Sequence, residues 1–241
     1  MANKLLFIVE GDKSEPDILE NMDNIILKET NSIIVCSFGN NIYELYAKMK
    51  SSENLDIVEV LNKIKNIKLI PEDFTDIFLF FDYDGHDSKA NDEKLIEMLE
   101  FFNNSTTNGK LYINYPMVES IKIISLELEK LFYDIAECSS FKDFIDKVGE
   151  NRLSNVKRYN YEIWQEIIHQ NLFKANFLLN DTFDNLDLKK IYLELKDSLE
   201  IFLKQKEKYI DKEKKILILS SFPIFICNFI RKSYFKKLVG N

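Results

Sequence analysis

Two hydrophobic rhythms alternate along the first half of the chain. Lys4–Val9 (KLLFIV), Ser32–Ser37 (SIIVCS) and Asp76–Phe81 (DIFLFF) are short unbroken apolar runs, the pattern of strands buried on both faces. Leu111–Ile113 is a fourth short strand, stopped near Pro116. Between these runs the spacing turns helical. Ser14 is placed to cap a helix running to about Met22, with Pro16 in its first turn. Ile42–Met49 sets apolar residues at 42, 45, 46 and 49; Asp56–Lys65 is a further helix; Ala90–Phe102 lines Leu95, Ile96, Leu99 and Phe102 along one face. Strands alternating with helices predict right-handed crossovers, and hence an α/β fold: a mainly parallel sheet flanked by helices.

The second half changes character. Glu119–Ile135, Phe141–Val148, Tyr161–Leu178 and Leu186–Lys206 all carry helical spacing. Ile216–Ile230 is the most apolar stretch, yet at about 15 residues it falls short of the roughly 20 that span a bilayer. Ser, Pro and Asn interrupt it, and it reads as a buried strand followed by a core helix. No linker-like cluster, repeat or low-complexity segment divides the chain. The expected organisation is an α/β domain over 1–120 and a mostly helical region over 121–241 packed on it.

Composition narrows the classes. The chain has 241 residues with only 6 Gly and 4 Pro, which favours a helix-rich fold over a turn-rich β-sandwich. Its three cysteines are far apart and form no CxxC pair, and it has two histidines; a zinc ribbon, a disulfide framework or a histidine metal cluster is not expected. Met1–Glu10 lacks the long apolar core and cleavage site of a signal peptide. The expectation is a cytoplasmic, reduced protein without a membrane anchor. The net charge of −8 speaks against nucleic acid at first sight. It hides an asymmetry: from Lys204 onward ten Lys and Arg face three acids, a net of +7, leaving −15 on the preceding 203 residues. The basic segment is either a solvated helix face or a patch that meets phosphate.

The candidate chemistry lies at strand ends. In a parallel sheet all carboxyl ends share one edge, where ligands bind. The first strand ends at Glu10 (VEGDKSE), the third at Asp82 and Asp84 (LFFDYDGHD), and Glu119 (NYPMVES) follows the fourth. Two aspartates at D-x-D spacing on one strand face the same side. Such a pair repels and desolvates unless a cation lies between, and Mg²⁺ suits one or two carboxylates completed by water and phosphate oxygens. Plainer roles stand beside each residue: a solvated turn capped by Asp82, and a helix N-terminal acid at Glu119.

The order of Glu10, about 70 residues, then Asp82-x-Asp84 resembles the TOPRIM domain of primases, topoisomerases and a set of nucleases. The opening Glu10-Gly11-Asp12-Lys13-Ser14-Glu15-Pro16 is similar to the acid-Gly-x-x-[ST]-E-P opening of the RloB-like and OLD-like phage-defence branch. Asn114-Tyr115-Pro116-Met117-Val118-Glu119 looks like that branch's Asn-Pro-x-x-Glu element with one residue inserted. The resemblance covers about 1–120. It implies a metal-dependent nuclease cutting DNA or RNA, tRNA included, with Mg²⁺ or Mn²⁺ as cofactor. Asp82 and Asp84 would hold one ion, Glu10 would bind a second or orient the attacking water, and Glu119 would complete the catalytic set. It also implies an ABC- or OLD-type ATPase partner in antiphage defence, and admits a homo-oligomer.

Around these acids, Gly11 and the Gly39-Asn40-Asn41 turn could let backbone approach phosphate. Lys13, Lys89 and His86 are candidate phosphate contacts; the alternatives are solvated lysines and a hydrogen-bonded turn histidine. Phe38 and Tyr43 could stack on bases or simply belong to the core, the expected place of Trp164 as well; His169, in a helical stretch, reads as structural. Two other classes compete: a non-catalytic TOPRIM binding or assembly module, and a different D-x-D enzyme, either a HAD-like phosphatase or a nucleotide-sugar glycosyltransferase.

Overall fold

β1 (Lys4–Val9) pairs in parallel with β2 (Ser32–Ser37) on one side and β3 (Phe74–Asp82) on the other. The structure, a computed structural model, describes residues 4–27, 32–52, 55–83, 91–183, 190–191, 194–195, 197–230, 234–235 and 238. These fall into two compact units: one holds residues 4–82 and 91–112, the other Tyr83 and the residues from 113 onward.

The first unit is built on a five-stranded, mostly parallel sheet in the order β2-β1-β3-β5-β4. Here β4 is Asn103–Asn104 and β5 is Gly109–Asn114, an antiparallel pair; the last two residues of β5 are counted with the second unit. All of Leu5–Val9 is buried, as its unbroken apolar run requires. Phe7, Phe80 and Tyr112 stack across three strands, with ring centroids 5.8 and 5.4 Å apart. Gly109 has φ 92°, and a Cβ there would come within 2.4 Å of Leu79 Cδ1, so β5 enters the sheet at a position only glycine fits.

The helices follow the sequence spacing. α1 spans Ser14–Met22 and continues as a π turn, Asp23–Leu27. α2 is Ile42–Ser51, α3 Ile57–Lys65 and α4 Asp92–Phe101. Asn41 caps α2 by accepting from Glu44 N at 3.2 Å. Asp56 and Glu59 form a reciprocal capping box on α3. The expected cap at Ser14 is not made: Lys13 occupies the cap position and makes no side-chain cap hydrogen bond. Right-handed crossovers place α1 on one face of the sheet and α2–α4 on the other. In agreement, Tyr46 of α2 packs edge-on against Phe101 and Phe102 at the end of α4, 5.5 and 6.2 Å between centroids.

The second unit is mostly helical, with α5 (Phe141–Val148), α6 (Tyr161–Asn180) and α7 (Ser198–Gln205), the last running through a π turn at Lys206–Ile210. Residues 186–189, 192–193 and 196 of the expected helix at 186–206 lie outside the described residues, and that helix is not continuous: the chain is extended at Asp197, which caps α7. The helix expected over Glu119–Ile135 does not form. Short 3₁₀ turns at Val118–Lys122 and Leu128–Lys130 lead into β6 (Phe132–Asp134), which pairs antiparallel with β7 (Lys215–Leu217). The pairing partner is some 80 residues away in sequence, and such non-local strand pairing overrides local helical spacing. β7 followed by α8 (Ser221–Phe229) is the strand-then-helix expected of the apolar stretch.

The core of this unit carries buried polar groups, several of them answered by hydrogen bonds. Asn114 Oδ1 accepts from both Ser221 N (3.1 Å) and Ser221 Oγ (2.7 Å). The Gln205 amide brackets Leu217, donating to its carbonyl at 2.8 Å and accepting from its N–H at 3.0 Å. Lys174 on α6 is wholly buried and donates to the Ile123 carbonyl. Among the described residues no helix is long and apolar enough to cross a membrane.

Candidate active site

The strand order places β1 between β2 and β3, with the chain passing from β1 to one neighbour and then crossing back to the other. This is a topological switch point, where successive loops diverge to opposite faces and leave a crevice at the carboxyl ends of the strands. The residues bordering that crevice are Glu10, directly after β1, and Asp82, the last residue of β3.

They meet directly. Asp82 N donates to Glu10 Oε2 at 3.3 Å, and Glu10 N donates to Phe80 O at 3.2 Å. The pairing thus runs past the end of β1 and fixes both acids side by side, each half-buried. From the other flank Phe38 N donates to Val9 O (2.7 Å) and Gly39 N to Glu10 O (2.8 Å). Main-chain bonds therefore hold Glu10 from both neighbouring strands. These bonds fix the Glu10 carboxylate against the main chain of Asp82, and the two residues bring to one sheet edge the carboxylate chemistry that a hard divalent cation takes, with water or phosphate oxygens filling the remaining positions. Among the described residues no group of three or more His, Cys, Asp or Glu is gathered for a metal.

The loop after Glu10 is organised by Glu15, whose place in the Glu10–Pro16 motif gives no sign of this role. Glu15, 4% exposed, turns back so that its Oε1 accepts from Gly11 N at 3.0 Å. A Cβ on Gly11 would stand 2.8 Å from Glu15 Oε2. Glycine at 11 makes room for this carboxylate, and its N–H is engaged by it. Lys13 is exposed at the head of α1.

Across the sheet, Gly39 takes a left-handed turn (φ 74°), and a Cβ placed there would lie 3.3 Å from Lys65 Nζ. α2 leads away from this edge and α3 returns to it, delivering Lys65 beside the Gly39 turn. The ammonium acts on Cys36 as well: burial pushes that thiol up and the Lys65 charge pulls it down. Nothing in the local sequence singles Lys65 out, because its position depends on the return of α3.

Asp84, His86 and Lys89 lie outside the described residues. Glu119 belongs to the second unit, in the 3₁₀ turn at Val118–Lys122. It is 8% exposed; Oε1 lies 3.4 Å from Lys142 Nζ, while Oε2 is buried without a partner. Phe38 and Tyr43 are buried at 4% each, which makes them core residues rather than stacking platforms. Trp164 is fully buried, and His169 packs edge-on against Phe173 with its basicity lowered by burial. Part of the basic segment is neutralised locally: Lys204 pairs with Glu207 (3.0 Å), Lys206 with Asp211 (2.6 Å) and Lys208 with Asp181 (2.7 Å).

No family model, curated protein or solved structure matches the chain.

Proposed function

We propose that this chain is a metal-dependent nuclease that hydrolyses phosphodiester bonds of DNA or RNA, with Glu10 and Asp82 at its centre. The carrying observation is their placement: two acids side by side at the switch point of a parallel sheet, Asp82 donating its N–H to Glu10. The TOPRIM-like order of Glu10, Asp82 and Asp84 supports the same reading, as does the RloB-like and OLD-like opening from Glu10 to Pro16. Those resemblances extend the proposal to Mg²⁺ or Mn²⁺ as cofactor, an ABC- or OLD-type ATPase as partner and antiphage defence as the setting.

In this scheme Asp82 and Asp84 would hold the cation, and Glu10 would hold a second one or orient the attacking water. The bound cation would supply charge neutralisation at the scissile phosphate and acidify a water. The chain's own part is positional. Main-chain bonds from Phe80 and Gly39 fix the Glu10 backbone, and the bond from Asp82 N fixes its carboxylate, so little reorganisation remains to be made when substrate arrives. The high negative charge outside the basic segment repels nucleic acid in the absence of cations, which agrees with a nuclease that works under a partner's control.

The test is cleavage of plasmid DNA and of tRNA with Mg²⁺ or Mn²⁺, by the chain alone and with its candidate ATPase. Asp82→Ala/Asp84→Ala should lower the rate by about 100-fold or more. Cleavage that persists undiminished in the double variant refutes the assignment.

A further inference from the structure

The proposed centre is anionic, and a phosphodiester is anionic too. A site that brings them together gains from a cation on its rim besides the metal. Lys13 is exposed, with neither turn nor helix end fixing its side chain. Lys65 is different. It is half-buried, at the end of a helix that returns to the carboxyl edge of the sheet, against a left-handed glycine whose N–H is bonded to Glu10 O. Among the described residues it makes no ion pair. Its ammonium lies beside Gly39, whose N–H is bonded to Glu10 O, and so stands at the edge that carries Glu10. Lysine in the last turn of a helix also complements the helix dipole, but that role would be filled by Lys63 as well.

We infer that Lys65, set beside the Gly39 turn, is the phosphate-binding cation of the Glu10–Asp82 edge, contacting a substrate phosphate next to the one that is cleaved. The inference rests on the nuclease reading for its substrate class. Gly39 serves it sterically: any side chain at 39 would crowd the ammonium and would strain the turn.

Binding separates it from catalysis. The full chain is titrated with fluorescein-labelled 20-nucleotide single strands, one DNA and one RNA of the same sequence, in Ca²⁺, at several salt concentrations. Lys65→Gln should weaken binding by about 3- to 10-fold and reduce the slope of log K against log salt by about 0.7. Lys65→Arg should restore both, and Lys63→Gln, which removes the same charge from an exposed position of the same helix, should change neither. In cleavage, Lys65→Gln should raise KM and leave kcat within about 3-fold. The DNA and RNA arms show which polymer the edge prefers. Unchanged affinity and slope in Lys65→Gln overturn the inference, as does an equal loss in Lys63→Gln or a wild-type chain that binds neither strand. Binding that depends on Lys65 in a chain with no nuclease activity would sink the nuclease reading and keep the cation site. Cleavage abolished by the Asp82/Asp84 change with binding indifferent to Lys65 would do the reverse.

Discussion

Replacing Lys174 by methionine should stabilise the second unit at neutral pH and flatten its pH dependence. Lys174 is fully buried, its ammonium answered by the Ile123 carbonyl. Burial pushes its ionisation down from 10.5 to about 7. Between those two values the unfolded chain holds a proton that the folded chain has released. Unfolding therefore takes up a proton in that window, so stability rises with pH through it and is lowest, and level, below about pH 7. Each pH unit is worth about 1.4 kcal/mol, so lysine costs the fold about 4 kcal/mol at pH 7 compared with strongly alkaline solution. Methionine has a similar stem and no charge, but leaves the Ile123 carbonyl without its donor, a loss of about 1 kcal/mol. The net gain at pH 7 should be about 2–3 kcal/mol. Trp164, the single tryptophan, is buried on the same helix, so its fluorescence in urea titrations follows this unit. The difference between variant and wild type should shrink by about 1.4 kcal/mol per pH unit from about pH 7.5 upward. Parallel stability curves over about two pH units would show that Lys174 does not sit as a neutral amine in the fold, and the reasoning would fail.

Two further outcomes test the packing. Gly109→Ala should destabilise the first unit by about 2–4 kcal/mol, because the added methyl meets Leu79 at 2.4 Å and the backbone is left-handed there; thermal unfolding followed by circular dichroism reads it. Asn114→Ala removes the acceptor of two buried donors on Ser221 and should cost about 2–4 kcal/mol in chemical denaturation, whereas Asn103→Ala on the exposed β4 should cost well under 1 kcal/mol.

The first half of the fold was legible because its signals are local. Each unbroken apolar run is a strand, and Glu10 and Asp82 follow from where two of those runs stop. The adjacency of these acids is topological, yet the sheet-edge rule was enough to anticipate it. Lys65 was invisible for the opposite reason: only the return of α3 to the carboxyl edge gives that lysine a place. Glu15 was in plain view, but nothing in its neighbours says that it folds back onto Gly11. The region after Glu119 misled for a physical cause. Its apolar residues do become buried, Ile121, Ile123 and Leu131 among them, but β6 answers to Ile216 rather than to its own neighbours. Ser14 misled more simply, since the chain enters α1 one residue earlier than a serine cap allows.

The Asn114–Ser221 clasp has a consequence for the order in which a ribosome releases this chain. The strand pairs β1–β2, β1–β3 and β4–β5 lie within the first 112 residues, so that unit can mature while the rest is still being made. The second unit cannot. The Asn114 side chain, Tyr115 and β6 must wait for partners at 221, 219 and 215–217, leaving a long interval before those bonds can form. During that interval the nascent segment is the natural client of a holding chaperone. A ribosome stalled before residue 215 would display a finished first unit joined to an unfinished second one.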